Sequence, residues 1–135
     1  MKFSYVVLYC SNMEKSVHFY RDIIGLECER RYTEEDGVET AFMVQPGAVP
    51  MVQQPMVELV CGMPNMPTAQ SGELFGFTVD NLNKVVSVLD AEGYPRVKGP
   101  YSPDVTCTIY EYRGPDGERI GVMSMDEKSW AESNA

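Results

Sequence analysis

The first quarter of the chain alternates apolar and polar residues in a way that predicts a strand followed by a helix. Residues 5–10 are β-branched and aromatic, as strands prefer. Ser11 then predicts a helix N-cap, with Glu14 three residues later as its capping-box partner. Apolar residues follow at helical spacing, and Gly25 marks the end of the helix.

Three further strands are predicted before the middle of the chain. Residues 26–32 and 39–44 lie on either side of an Asp-Gly turn, so they predict a hairpin. Residues 45–55 hold three prolines and a glycine, which predicts a loop that acts as a lid. Residues 56–61 then predict a short apolar strand that only Glu58 interrupts.

The second half of the chain repeats this order of elements. Residues 74–79 predict a strand, Asp80 a helix N-cap, and Gly93 the end of that helix. A short extended piece begins at Val97, and a Gly-Pro-Asp-Gly turn separates the last two predicted strands, residues 106–112 and 119–125. A duplicated unit of one strand, one helix and three strands is therefore predicted.

Each unit is too small to bury its own apolar face well, so two units that pair can share a core. The predicted fold class is α+β: two βαβββ modules form a curved mixed sheet with a cleft, and the helices cover the outer face. The expected organisation is one domain, 1–125, with module one at 1–61, a linker at 62–72 and module two at 73–125. The tail, 126–135, is polar except for Trp130, and it is either frayed or held by that indole.

Composition narrows the classes of function. With 20 acidic and 11 basic side chains the formal charge is −9, which opposes binding to nucleic acid. No apolar stretch approaches the length of a membrane span, and the N-terminus lacks a secretory signal, so a cytoplasmic protein is expected. The four cysteines form no C-x-x-C pair, which favours reduced, mostly buried thiols.

Two motifs carry a resemblance to a known family. Ser-Asn-Met-Glu-Lys-Ser-Val at 11–17 leads into Phe-Tyr and Ile-Ile-Gly-Leu, and Gly-Pro-Asp-Gly at 114–117 precedes the last strand. With the doubled plan, these motifs resemble the vicinal oxygen chelate superfamily, which includes glyoxalase I, bleomycin-resistance proteins and extradiol dioxygenases. The resemblance implies the paired-module fold from about residue 1 to residue 125.

The resemblance also implies four metal-ligand positions, one on the first strand and one on the last strand of each module. Here those positions hold Tyr5, Glu58, Leu74 and Gly121. Only Glu58 is a common ligand for a divalent ion, and a metal site needs about three or more protein ligands. The single histidine, His18, lies on the predicted helix and is expected to be solvated. No metal and no cofactor are expected.

Strand alternation divides the predicted strands into a core face and a pocket face. The core face is expected to hold Val6, Leu8, Cys10, Phe75, Phe77 and Val79. The pocket face is expected to hold Tyr5, Val7, Tyr9, Met56, Glu58, Val60, Leu74, Gly76, Thr78, Gly121, Met123 and Met125. The prediction is an apolar cup with tyrosine hydroxyls and one acid, in which two glycines leave room for a flat or bulky ligand.

Glu58 is the candidate catalytic or anchoring residue. An unpaired carboxylate in an apolar cup is costly, so either its pKa is raised or it meets a partner such as the Tyr5 hydroxyl. It serves as a proton acceptor, as an anchor for an amine, or as an idle relic of a lost metal site.

Three functions are left open. The first is metal-independent binding of a small, partly apolar or aromatic molecule, as in bleomycin-resistance-type sequestration. The second is a glyoxalase-like lyase or isomerase acting on a small carbonyl compound, with Glu58 as base or metal ligand. The third is an accessory subunit. The resemblance also implies a homodimer.

Overall fold

The computed structural model describes residues 1–48, 56–66 and 73–133. The chain divides into two compact units, Met1–Gln70 and Ser71–Ala135, which contain the predicted module one and module two respectively. Most of the predicted lid and linker, residues 49–55 and 67–72, lies outside the described residues. None of the described helices combines the length and the apolar composition of a membrane-spanning segment.

Module one is a four-stranded mixed sheet. Its strands are β1 (Tyr5–Cys10), β2 (Glu27–Thr33), β3 (Glu39–Val44) and β4 (Met56–Cys61). The order across the sheet is β1-β4-β3-β2, with β1 parallel to β4 and the other neighbours antiparallel. The predicted hairpin between the second and third strands is confirmed, and the bounds of β1, β3 and β4 match the prediction.

The helix of module one begins one residue later than predicted. Helix α1 spans Met13–Val17, and its N-cap is Asn12, whose side chain accepts a hydrogen bond of 3.1 Å from the backbone N–H of Lys15. The prediction of Ser11 as N-cap was wrong. Both residue types cap helices well, so the choice depends on which residue has the extended backbone at the helix start.

A π-helical segment, His18–Ile23, continues directly from α1. Its widened turn is closed by the backbone N–H of Ile24, which donates to the carbonyl of Phe19 over 3.0 Å. Consecutive side chains Phe19 and Tyr20 are both fully buried there, with their rings packed edge to face at 4.9 Å between centroids. The apolar spacing predicted one regular helix up to Gly25 and did not indicate this widened turn.

Module two repeats the plan of module one with its own four-stranded mixed sheet. Its strands are β5 (Leu74–Thr78), β6 (Arg96–Tyr101), β7 (Cys107–Arg113) and β8 (Arg119–Met125). The order is β5-β8-β7-β6, with β5 parallel to β8 and the other neighbours antiparallel. The predicted α+β fold with two modules of the same element order is therefore confirmed.

Helix α2 (Leu82–Ala91) packs on the module two sheet through Leu82, Val86 and Leu89, which are buried. Its N-cap is Asn81, whose side chain accepts a hydrogen bond of 3.1 Å from the backbone N–H of Lys84. The prediction of Asp80 in this role was wrong by one residue, as in module one.

The polar tail forms a short helix, α3 (Glu127–Ser133), in the described residues. The Asp126 carboxylate accepts hydrogen bonds from the backbone N–H of Ser129 at 3.1 Å and from its hydroxyl at 2.7 Å, so the helix start is capped. The predicted role of the Trp130 indole lies outside the described side chains.

Candidate functional site

Residues on α1 and β2 show which face of the module one sheet the helix covers. The guanidinium of Arg31 forms ion pairs with Glu14 on α1 and with Glu39 on β3. Arg31 lies opposite Ala41, which in turn lies opposite Leu59, and both apolar residues are fully buried. These residues therefore belong to the face that packs against the helix.

The face opposite α1 carries the predicted pocket residues of module one. Register pairs Tyr5 with Met56, Val7 with Glu58 and Tyr9 with Val60, and paired residues share a face. The same register places further residues there that the pocket prediction omitted: Arg30, Tyr32, Thr40 and Phe42. The structure thus brings the predicted module one residues onto a single surface.

Glu58 lies between apolar neighbours on this face. Val7 on β1 and Phe42 on β3 are its register partners on either side. Within the described residues Glu58 accepts no hydrogen bond and forms no ion pair, including none with Tyr5. Burial raises the pKa of the Glu58 carboxyl above its ordinary value of 4.5. Of the two outcomes expected for this acid, the structure shows the raised pKa without the partner.

An aromatic and cationic group flanks Glu58 on the same face. The rings of Phe42 and Tyr32 pack edge to face, with 6.0 Å between their centroids. The Arg30 guanidinium carbon lies 5.8 Å from the centroid of the Phe42 ring. The signal for these residues was present in the sequence, because they alternate along the predicted hairpin. The pocket prediction used only the first and last strands of the module and so missed them.

Tyr112 shows which face of the module two sheet is covered by helix α2. Its hydroxyl donates a 2.7 Å hydrogen bond to Asp90 on α2, so Tyr112 and its register partner Ile120 belong to the helix face. The predicted pocket residues Gly76 and Gly121 lie opposite each other on the other face. A Cβ built on Gly76 meets no atom within 4 Å, so space is open above this glycine.

The remaining predicted pocket residues of module two lie on the same face as the glycines. Leu74 pairs with Arg119 and is 44% exposed, while Thr78 pairs with Met123. Glu111, which the sequence argument did not single out, lies opposite Gly121 and forms a 2.7 Å ion pair with Arg119. Its carboxylate is buried, so module two presents a charged pair where the sequence predicted an apolar surface.

His18 lies on the π-helical segment, and the four cysteines form no disulfide. His18 Nδ1 lies 2.9 Å from a carboxylate oxygen of Asp22, so the imidazole is half-exposed and paired rather than simply solvated. The Arg21 guanidinium and then His18 lower the pKa of Asp22 to about 2. Cys10 and Cys107 are buried, Cys28 and Cys61 are partly exposed, and none of the four is bridged.

The residues at the four implied ligand positions do not fit a divalent metal ion. In module one, Tyr5 and Glu58 are not register partners, and only the carboxylate is a strong ligand. In module two, Leu74 and Gly121 carry no donor atom in their side chains. Among residues 1–48, 56–66 and 73–133, no three His, Cys, Asp or Glu side chains cluster as a metal site requires.

Comparison with known proteins adds a family and a fold. The sequence model of one protein family, the Glyoxalase/Bleomycin resistance protein/Dioxygenase superfamily, matches residues 2–122 of this chain. No curated protein sequence matches the chain.

Solved structures of similar fold include enzymes and binding proteins. A glyoxalase family protein from Bacillus cereus has a TM-score of 0.75 at 21% identity, covering 93% of this chain and 94% of its own. Trypanothione-dependent glyoxalase I from Leishmania major has a TM-score of 0.72 at 17% identity, covering 98% and 91%. An antibiotic-binding protein from Streptomyces has a TM-score of 0.66 at 20% identity, covering 93% and 97%. At these identities the likeness establishes the fold.

Proposed function

We propose that this chain, which belongs to the Glyoxalase/Bleomycin resistance protein/Dioxygenase superfamily, binds a small, partly apolar or aromatic molecule without a metal ion. The observation that carries the proposal is the environment of Glu58. This carboxylate lies between Val7 and Phe42 with no partner among the described residues, where a coordinating site would surround it with other donors.

The face opposite α1 has the composition of a small-molecule site. Ligand sites are mostly apolar and aromatic, with a few polar groups that fix orientation. Tyr5, Val7, Tyr9 and Met56 supply the apolar and aromatic surface, and Glu58 supplies the polar group. On module two, Leu74, Gly76, Gly121 and Met123 are proposed to serve the same ligand class. The antibiotic-binding relative from Streptomyces is a precedent for binding on this fold.

Glu58 is proposed to anchor an amine or another hydrogen-bond donor of the ligand. Burial favours its neutral form, so a cationic group placed beside it recovers the energy that desolvation of the carboxylate costs. The formal charge of −9 on the whole chain also favours a ligand with a cationic group.

A thermal-shift screen of small aromatic compounds, run with and without a chelator, tests this proposal. Binding to the native state alone raises the unfolding temperature. We expect hits whose shift is unchanged by the chelator and smaller in the Tyr5→Ala variant. Phe3→Ala is the matched control, because Phe3 is an exposed aromatic residue outside the strands. Shifts that disappear with the chelator contradict the proposal.

A second candidate is an enzyme of the lyase or isomerase class that acts on a small carbonyl compound. The raised pKa of Glu58 is the observation that favours it, because a general base works best with a pKa near the operating pH. With a substrate in hand, Glu58→Gln tests the role. Loss of turnover with retained binding supports a base, and full turnover in the variant removes Glu58 from the chemistry.

The chain is also proposed to form a homodimer. In the described sheets β1 and β5 are edge strands, and an edge strand can pair with a strand of another chain. Light scattering at micromolar concentration tests this proposal, and a monomeric mass contradicts it.

A further inference from the structure

We propose that the module two face opposite α2 holds the carboxylate of a small apolar or aromatic acid, with Arg119 as the anchor. This inference rests on the proposed function, because Leu74, Gly76, Gly121 and Met123 belong to the same face. It adds the chemical class of the ligand at this face, an organic monoacid, whereas the amine or other hydrogen-bond donor is proposed for the module one face.

The anchor is fixed by a buried acid. Arg119 Nε donates a 2.7 Å hydrogen bond to Glu111 Oε1, and only 5% of the Glu111 side chain is exposed against 32% of Arg119. Within the described residues Arg119 makes no other hydrogen bond, so its two Nη groups remain available. Because the guanidinium is planar and its Nε is held, its two Nη groups point in a defined direction.

The surface beside Arg119 has room for a flat group. Gly121 lies two residues along β8 on the same face, and Gly76 lies opposite it on β5. Gly121 is buried, and a Cβ built on it would lie 3.3 Å from Leu74 Cδ2, so the open space is above Gly76, where nothing lies within 4 Å of a built Cβ. Leu74, directly opposite Arg119 and 44% exposed, supplies an apolar contact for the ring or chain of the acid.

The charge on this face differs in sign from that of the whole chain. Its strands carry three cations, Lys98, Arg113 and Arg119, against the single acid Glu111, which gives a formal charge of +2. Lys98 Nζ lies 4.3 Å from the Tyr101 ring centroid and forms no ion pair with a described residue. A chain with a formal charge of −9 thus presents a local cationic surface, which favours an anionic group.

A planar carboxylate fits this arrangement. Its two oxygens accept two hydrogen bonds from adjacent N–H groups of one guanidinium, while the apolar body rests against Leu74 and Gly76. The matched uncharged amide keeps the same body and loses the charge-assisted bonds. The difference between acid and amide therefore isolates the contribution of Arg119.

The test compares naphthoate with naphthamide by calorimetry and by amide NMR shifts of the full chain. We expect naphthoate to bind at least tenfold more tightly, and its addition to shift the amide signals of Gly76 and Gly121. In Arg119→Gln the preference for the acid disappears. In Lys84→Gln, which removes one positive charge from the exposed α2 surface, the preference stays.

Arg119→Gln leaves Glu111 buried without its partner and could therefore destabilise the fold. A second variant controls for this effect. Glu111→Gln with Arg119→Gln removes both charges together and is expected to lose the same preference. Equal affinity for acid and amide, or a preference that survives in these variants, overturns the Arg119 site and leaves the proposed function standing. Failure of both probes to bind also overturns the Arg119 site, whereas the proposed function is tested separately by the thermal-shift screen with and without a chelator.

Discussion

The Tyr112 hydroxyl donates a 2.7 Å hydrogen bond to Asp90 Oδ1, and this bond joins β7 to the last turn of α2. Arg96 on β6 completes the group, because its guanidinium donates to the Tyr112 oxygen at 3.0 Å and to Asp90 Oδ2 at 2.6 Å. Three elements of module two therefore meet at one fully buried phenol.

Replacing Tyr112 with Phe keeps the buried ring and removes its hydroxyl. We expect a loss of about 1–2 kcal/mol in the free energy of unfolding, because the bond to a carboxylate is lost while Asp90 keeps Arg96. Urea unfolding measures the loss. Tyr110→Phe is the control, since no hydrogen bond of its hydroxyl is present in the described residues and a small change is expected.

The same phenol makes stability depend on alkaline pH. Burial, and then the bond to Asp90, raise the pKa of Tyr112 from 10.0 to about 12. The native state therefore holds this proton more tightly than the unfolded chain, and the stabilisation is lost as pH rises from 10.0 towards 12. In Tyr112→Phe we expect a weaker fall of unfolding temperature over that interval than in the parent protein. Equal falls in the two proteins contradict the account.

Glu58→Gln is expected to stabilise the protein near neutral pH. Burial raises the pKa of Glu58 above 4.5, so stability falls as pH rises through the raised value and the carboxyl ionises. The neutral amide avoids this loss, and its advantage should shrink as pH falls below 4.5. Calorimetry at several pH values measures both trends. Glu73→Gln, at an exposed position, is the control for the removal of one negative charge.

The helix N-caps offer a matched pair of substitutions. The Asn81 side chain accepts the backbone N–H of Lys84, whereas the preceding Asp80 makes no such bond. Asn81→Ala should lower the free energy of unfolding by about 1 kcal/mol, and Asp80→Ala by clearly less. The reverse order in chemical denaturation would restore Asp80 as the cap.

Alanine substitutions at Gly99 and Gly93 distinguish the stability cost of backbone strain from the stability cost of crowding. Both have positive φ, +113° and +82°, so alanine at either position is strained. A Cβ on Gly99 lies 2.7 Å from the Ile109 carbonyl oxygen, while a Cβ on Gly93 meets nothing within 4 Å. We expect Gly93→Ala to cost about 1–2 kcal/mol and Gly99→Ala to cost about 3 kcal/mol or more. Equal losses of unfolding free energy for the two variants in urea would show that the structure shifts to relieve the crowding at Gly99.

The sequence was informative where a pattern is local. Alternation and turn residues gave the bounds of β1, β3, β4 and β8, because each strand has a buried side and a sharp turn nearby. The N-caps were each displaced by one residue, since two good capping residues stand side by side at both helix starts. The pairing of the modules around a cleft stays a prediction.

Two features of the structure were not predicted from the sequence. The π-helical segment is closed by a hydrogen bond from the Ile24 backbone N–H to the Phe19 carbonyl, and the helical spacing of the apolar residues does not distinguish it from a regular helix. The ion pair of Glu111 with Arg119 joins the two strands of a predicted hairpin. The register of that hairpin places both side chains on one face, which was predicted to be apolar.

Metal analysis of the purified protein tests the central claim most directly. Elemental analysis by mass spectrometry, after purification without chelator or affinity metal, is expected to find far less than one divalent ion per chain in both the parent and Glu58→Gln. A stoichiometric divalent ion in the parent that disappears in Glu58→Gln would contradict the account, because it would make Glu58 a ligand and the site a metal centre.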